Sequence, residues 1–196
     1  MHKVLCLSGS KRKNGNSESL MEMLIKAFGE RCEVRWIKMS EINVQGCLGC
    51  NFCTAHDERC VQKDDMTQLY DGFRWCDALV ISTPVYSRNV CSQVMAVMDR
   101  HYAVKNTRPL EGKLGSAMAV GAGAGQATAI TTIHNWYLSC GALCVPGELN
   151  GITASGFEKG QVLENSIYRD QTKKLAQNIE RYLDRLGGPV RTSVSS

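Results

Sequence analysis

Four cysteines, Cys47, Cys50, Cys53 and Cys60, fall within fourteen residues in the order Cys-x2-Cys-x2-Cys-x6-Cys. Three thiolates at steps of three, flanked by Gly46 and Gly49, let a short loop curl around one compact object, and the fourth closes the cage. Four cysteine thiolates are the usual ligand set of a [4Fe–4S] cluster. Zinc is the rival occupant, although structural zinc sites usually pair two Cys-x2-Cys knuckles across a longer gap. Thiols that hold no metal are the third reading. His56, between Cys53 and Cys60, has the chemistry to replace a ligand, but is expected to be exposed. The remaining six of the ten cysteines (Cys6, Cys32, Cys76, Cys91, Cys140, Cys144) are scattered among apolar neighbours, where a thiol packs as a small hydrophobe.

A second group of residues clusters in three stretches, each expected to follow a strand. Ser8-Gly9-Ser10-Lys11-Arg12-Lys13-Asn14-Gly15-Asn16-Ser17 combines hydroxyls, glycines and bases just before a helical pattern. Free amides at the helix start, with Ser10 and Ser17, suit a phosphate, and Arg12 or Lys13 supplies counter-charge. The Walker spacing is missing, as is the Gly-x-Gly-x-x-Gly of a dinucleotide fold, so a mononucleotide with a terminal phosphate fits better. Thr83-Pro84-Val85-Tyr86-Ser87 offers a stiff turn and an aromatic face for a flat heterocycle. Gly121-Ala122-Gly123-Ala124-Gly125-Gln126 has little side chain, so its backbone can approach a ring and donate amides.

The elements that must position these loops alternate. Strands are expected at Lys3–Ser8, Cys32–Lys38, Asp77–Thr83, Leu114–Gly121 and Cys140–Val145, the third stopping at Pro84 because proline cannot donate to a ladder. Between them, Leu20, Leu24, Ala27 and Phe28 recur at helical spacing, with Asn16 or Ser17 as caps. Asp64-Asp65 caps a helix over Met66–Trp75. Val90, Val94, Val97, Met98 and His101 mark another helix face, and Ala127, Ile130, Ile133 and Tyr137 the next. A closing helix carries Leu175, Ile179, Tyr182, Leu183 and Leu186, with Gly187-Gly188-Pro189 at its end and a disordered tail over Val190–Ser196. Gly46–Cys60 reads as an irregular insertion. Such alternation implies one mainly parallel sheet, covered by helices on both faces, over residues 1–189. Ligands of such sheets sit at the carboxyl ends of the strands, where the three loops lie.

Composition narrows the function classes. At 196 residues, 43% hydrophobic and 21% charged, the chain is a packed globular domain. The net charge of +4 is spread along the chain, without the basic stripe that nucleic acid requires. No apolar run approaches the ~20 residues that span a bilayer, and the start is too short for a signal segment, so a cytoplasmic protein without a membrane partner is expected.

Taken together, Gly9-Ser10-x-Arg12-Lys13-x-Gly15-Asn16-Ser17, Pro84-Val85-Tyr86, Asp99-Arg100 and Gly121-x-Gly-x-Gly-Gln126 resemble the flavodoxin-like NAD(P)H-dependent FMN reductase superfamily. The four cysteines, with Val61-Gln62-Lys63-Asp64-Asp65-Met66 after them, are similar to its iron–sulfur flavoprotein branch; Met95 stands where a basic residue often precedes Asp-Arg. The resemblance implies a flavodoxin-like α/β fold, a five-stranded parallel sheet in the order 2-1-3-4-5, with the cysteine-rich insertion at 46–60 after the second strand. It implies FMN bound through Ser10, Arg12, Lys13, Asn16 and Ser17 at the phosphate. Pro84, Val85, Tyr86, Ser87, Ala122, Gly123, Gly125 and Gln126 would lie around the ring. Cys47, Cys50, Cys53 and Cys60 would hold a [4Fe–4S] cluster, and the chain would assemble as a homodimer or homotetramer.

FMN handles electrons in pairs or singly and a cluster singly, so the protein's part is binding and redox tuning, and no acid–base residue is needed. His2, His101 and His134 are expected to be structural. The leading expectation is an oxidoreductase taking electrons from ferredoxin or NAD(P)H and passing them to a quinone, an oxygen species or a small electrophile. The alternatives are a cluster-free NAD(P)H-dependent FMN, quinone or azo reductase, and a non-catalytic redox or metal sensor.

Overall fold

The structure, a computed structural model, describes residues 1–56 and 59–187. The expected tail at Val190–Ser196, and the domain end at 188–189, lie outside the described residues. In chain order the elements are β1 (His2–Ser8), α1 (Asn16–Ala27), β2 (Cys32–Lys38), α2 (Phe52–Ala55), α3 (Met66–Trp75), β3 (Ala78–Tyr86), β4 (Asn89–Val90), α4 (Ser92–Arg100) and β5 (Leu114–Gly121). They continue with α5 (Gln126–Ser139), β6 (Leu143–Cys144), β7 (Ile152–Ser155) and α6 (Ser166–Arg185). A 3-10 turn at His101–Val104 prolongs α4 and another at Gln161–Glu164 precedes α6.

The sheet runs β2-β1-β3-β5-β6 with these pairs parallel, the flavodoxin-like order. Its central strands are continuous apolar runs because helices cover both faces. Alternation along each strand divides the core. Leu5, Leu7, Leu79 and Ile81 face one layer, packed with Phe73, Val97 and Ile130 of α3, α4 and α5. Val4, Cys6 and Val80 face the other, with Leu20 of α1 and Leu175 of α6.

Three local expectations need correction. β3 does not stop at Pro84; it runs to Tyr86, with Pro84 in register with Val120. Proline withholds only one donor, and beyond it β4 pairs antiparallel with Val85 and Tyr86. The fifth strand is not a single run at Cys140–Val145 either. Leu143–Cys144 pairs with the start of β5, and Ile152–Ser155 takes over alongside its end. Lastly, the residue before α1 is Gly15, and no side chain caps that helix. Asn16 and Ser17 are already its first residues.

Four of the six scattered cysteines, Cys6, Cys76, Cys91 and Cys140, are buried within the two apolar layers, and half-buried Cys32 and Cys144 pack against them. Burial pushes the thiols of Cys76 and Cys32 up to about 12 and that of Cys140 to about 11, which keeps them protonated and unreactive. Among the described residues, no helix is long and apolar enough to cross a membrane.

Candidate functional site

The first loop leaves the end of β1 with the Gly9 amide donating to the Ser82 carbonyl (2.7 Å), which ties it to the end of β3. Ser10 Oγ accepts from the Arg12 amide at 3.0 Å, folding the chain back on itself. Asn14 takes a left-handed conformation (φ 53°), and its amide donates to Glu18 Oε2 at 2.8 Å. Ser40 donates to the other carboxylate oxygen of Glu18 (2.7 Å), so this buried acid braces the loop from inside the first turn of α1. The uncapped first turn of α1 carries a partial positive charge and amides that no side chain caps. Asn16 adds a buried Oδ1 without a hydrogen-bond partner.

This helix start opens on a cavity of about 420 Å³, shared by Ser10, Arg12, Asn16 and Ser17 with Pro84, Val85 and Tyr86. The volume lies within the ~300–1,000 Å³ typical of small-molecule sites. Val120, Gly121 and Ala122 line it at the end of β5. Gly156, Phe157, Glu158 and Lys159, which follow β7, complete it, and these four were missed by sequence reasoning. Asn16 Nδ2 donates to the Glu158 carbonyl (2.8 Å) and so joins the first loop to the last. Gln161 Oε1 accepts from the amides of Phe157 and Glu158, fixing that turn. Arg12 and Lys159 against Glu158 leave the lining net positive, which matches a phosphate. An amide-rich helix start, the side chains of Pro84, Val85 and Tyr86 along one wall and the bases Arg12 and Lys159 have the chemistry to take a flavin mononucleotide.

Other expected ligands lie off the cavity. Lys13 is exposed and does not line it. Ser87 and Arg88, both at positive φ (48° and 65°), form the tight turn between β3 and β4 instead. Gly123 is not in the lining, and Gln126 donates to the carbonyls of Gly121 and Ala154, holding β5 and β7 together. Gly125 is locked against that turn: at φ 109°, an added Cβ would come within 2.4 Å of Arg88 Cα. These residues shape the cradle from behind.

The cysteine segment is built differently. Its ends are clamped by hydrogen bonds from the Asn43 amide to Asp65, from the Gln45 amide to Asp64, and from Gln62 Nε2 to the Gly46 carbonyl. Among the described residues between them the backbone is irregular apart from the single turn α2, with Gly49 and Asn51 at positive φ (64° and 55°). Cys47, Cys50, Cys53 and Cys60 all line one cavity of about 320 Å³, walled on the far side by Asp99, Arg100 and Tyr102 at the end of α4. His56 is not in the lining; it stacks on Phe52 at 3.8 Å.

Among the described residues, no three His, Cys, Asp or Glu side chains are gathered tightly enough to hold a single ion. A zinc site would draw its thiolates to ~2.3 Å from one point. Four thiols lining one void are the donor set of a [4Fe–4S] cluster and of a zinc ion alike. Buried Arg100 projects donors into that wall, with Nη2 3.4 Å from Cys60 Sγ and Nε unpartnered. Its counter-ion is Asp64. Burial alone would raise the Asp64 carboxyl, but hydrogen bonds from Arg100 and the amides of Gln45 and Met66 hold it below the ordinary value.

The three expected structural histidines take no part in either cavity. His2 pairs with Asp184, His101 packs edge-on against Phe73 and Trp136, and His134 is half-buried, its imidazole held below the ordinary pKa by burial.

The sequence model of the NADPH-dependent FMN reductase family matches residues 2–154. The chain is 37% identical over 140 residues to an iron–sulfur flavoprotein of Methanocaldococcus jannaschii, covering 69% of this chain and 71% of that one. It is 35% identical over 191 residues to an iron–sulfur flavoprotein of Archaeoglobus fulgidus, covering 93% and 96%. Among solved structures, RosB with bound 8-demethyl-8-formylriboflavin-5'-phosphate superposes with a TM-score of 0.75 over 95% of this chain and 80% of RosB, at 14% identity. That last likeness shows the fold.

Proposed function

Since the chain belongs to the NADPH-dependent FMN reductase family, among relatives that are iron–sulfur flavoproteins, we propose that it carries FMN and a [4Fe–4S] cluster in its two cavities and works as an electron-transfer oxidoreductase. Electrons would enter from NAD(P)H or ferredoxin and leave to a quinone, an oxygen species or a small electrophile. The observation that carries the reading is the coexistence in one chain of a strand-end cavity at an uncapped helix start and a separate cavity ringed by four cysteines.

Bound together, the two groups supply conversion between two-electron and one-electron chemistry. The residues do the binding and tuning. The first-turn amides of α1 and the Ser10 and Ser17 hydroxyls hold the phosphate, and Arg12 neutralises it. Tyr86, 56% exposed, and Phe157, 75% exposed, stand at the rim of the cavity. There they offer aromatic surface to a flat electron acceptor or to a second copy of the chain. A homodimer or homotetramer would cover these two exposed aromatic side chains.

The test is anaerobic purification and reconstitution with ferrous iron, sulfide and FMN. The expected product holds about four iron and four sulfide per FMN, absorbs broadly near 400 nm beside the flavin bands, and oxidises NADH or NADPH, or accepts electrons from reduced ferredoxin, when a quinone is present. A yellow, iron-free protein with NAD(P)H-dependent quinone reduction would instead make it a cluster-free reductase.

A further inference from the structure

Arg100 is the largest fully buried side chain of the described residues, with its side chain 1% exposed. An arginine is placed so deep only when its charge and donors are used. Nη1 donates to Asp64 and to the Gln45 carbonyl (3.2 Å), and Nη2 donates to Cys60 Sγ (3.4 Å). Nε–H remains, buried and without an acceptor, on a side chain that lines the four-thiol cavity. The Arg100 carbonyl is itself held by the Tyr70 hydroxyl (3.0 Å), so the side chain springs from a fixed backbone. One guanidinium therefore joins both ends of the cysteine segment, Gln45 and Asp64, to the last cysteine. A spare donor is left beside the cavity.

We propose that Arg100, oriented by Asp64, is a positioning residue for the cluster: it fixes Cys60 as the fourth ligand and donates N–H bonds to the sulfur atoms, which raises the cluster's reduction potential. The inference rests on the cluster reading above. Reduction places one further negative charge on a thiolate-ligated cluster, and hydrogen bonds to sulfur and a nearby cation favour the more negative form. The planar fork explains arginine in preference to lysine. An ammonium is a point charge and cannot hold a carboxylate, a carbonyl and a sulfur in three fixed directions. The α4 terminus thereby sets the electron affinity of a group held by a loop more than thirty residues earlier in the chain.

The experiment compares wild type, Arg100→Gln, Arg100→Lys and Asp64→Asn, each reconstituted anaerobically with iron, sulfide and FMN, by metal and sulfide content and by a dithionite titration followed by electron paramagnetic resonance. FMN content should be the same in all four. In Arg100→Gln the one-electron equilibrium constant should fall at least tenfold, a midpoint drop of about 59 mV or more, with faster loss of iron to a chelator. Arg100→Lys should show a smaller drop. Asp64→Asn, which keeps the guanidinium and removes its counter-charge, should shift the midpoint upward and carries the test if the Arg100 variants do not fold. Full iron and sulfide with a wild-type midpoint in the Arg100 variants, or an unmoved or lowered midpoint in Asp64→Asn, overturns the proposal alone. A wild-type chain that takes up neither iron nor sulfide overturns the cluster reading, and this proposal with it.

Discussion

The two cavities are made by opposite means. The strand-end cradle is bounded by backbone that the sheet has already fixed: Ser10 and Ser17 are 3% and 2% exposed, and its walls are the ends of β1, β3, β5 and β7. Among the described residues no strand lines the cysteine cavity, two of its four thiols are exposed, and its shape depends on hydrogen bonds at the segment's ends and on Arg100. The first site is therefore preorganised, and its ligand adds affinity to a structure that already exists. In the second, under the proposed cluster reading, much of the ordering free energy would come from the ligand itself, as in metal sites whose geometry is completed by binding.

Removing one thiol should break this comparison most sharply. Cys50→Ser is expected to abolish iron and sulfide uptake while FMN binds at wild-type stoichiometry, read by metal analysis and flavin fluorescence. Loss of both groups would mean that the cavities are not independent. Next in size, Gly125→Ala forces a side chain into a positive-φ position against the Arg88 backbone. It should cost about 1–3 kcal/mol of folding stability from backbone strain alone, seen in denaturant unfolding, and weaken FMN binding without changing iron content. Arg12→Ala removes the charge proposed to pair with the phosphate, a contact of a kind worth about 1.5–3 kcal/mol, so the FMN dissociation constant should rise roughly 10- to 100-fold by equilibrium titration. Ser10→Ala should cost less, about 0.5–1.5 kcal/mol in the same titration.

The smallest effect concerns neither cavity and calibrates the others. Burial holds the His134 imidazole below its ordinary pKa of 6.5, so the folded chain keeps it neutral where the unfolded chain takes up a proton. Its contribution is complete above about pH 6.5 and declines as pH falls through the lowered folded value. In His134→Gln the fall in denaturation midpoint between about pH 7.5 and 5.5 should be shallower, with both cofactors retained.

Much of this architecture can be read from local pattern. β2, α3 and β5 have the expected limits because a continuous apolar run, or an acidic pair before a helical stripe, leaves one local solution. The loop at 156–159 could not be read in the same way. The four-residue β7 that leads into it has too few positions to show a period, and only pairing with Met118–Gly121 makes it a strand. The rule that sites follow strand ends would have found Gly156 and Lys159 had that strand been visible. No local pattern marks Glu18 either, and only the turn at Asn14 and the approach of Ser40 bury it as a brace.

By its own order of residues, the sequence determined the strand–helix alternation, the gathering of hydroxyls, glycines and bases in the first loop and the presence of four thiols close enough along the chain to share one ligand. These are properties of neighbours, encoded at separations that a single turn or loop spans. Tertiary structure alone decided which residues complete each cavity. Asn16 reaches the Glu158 carbonyl, and Arg100 reaches Cys60, only after β1, β3, β5 and β7 align and α4 packs against the sheet. A side chain's partner across 40 or 142 positions follows from that packing, which no local pattern records.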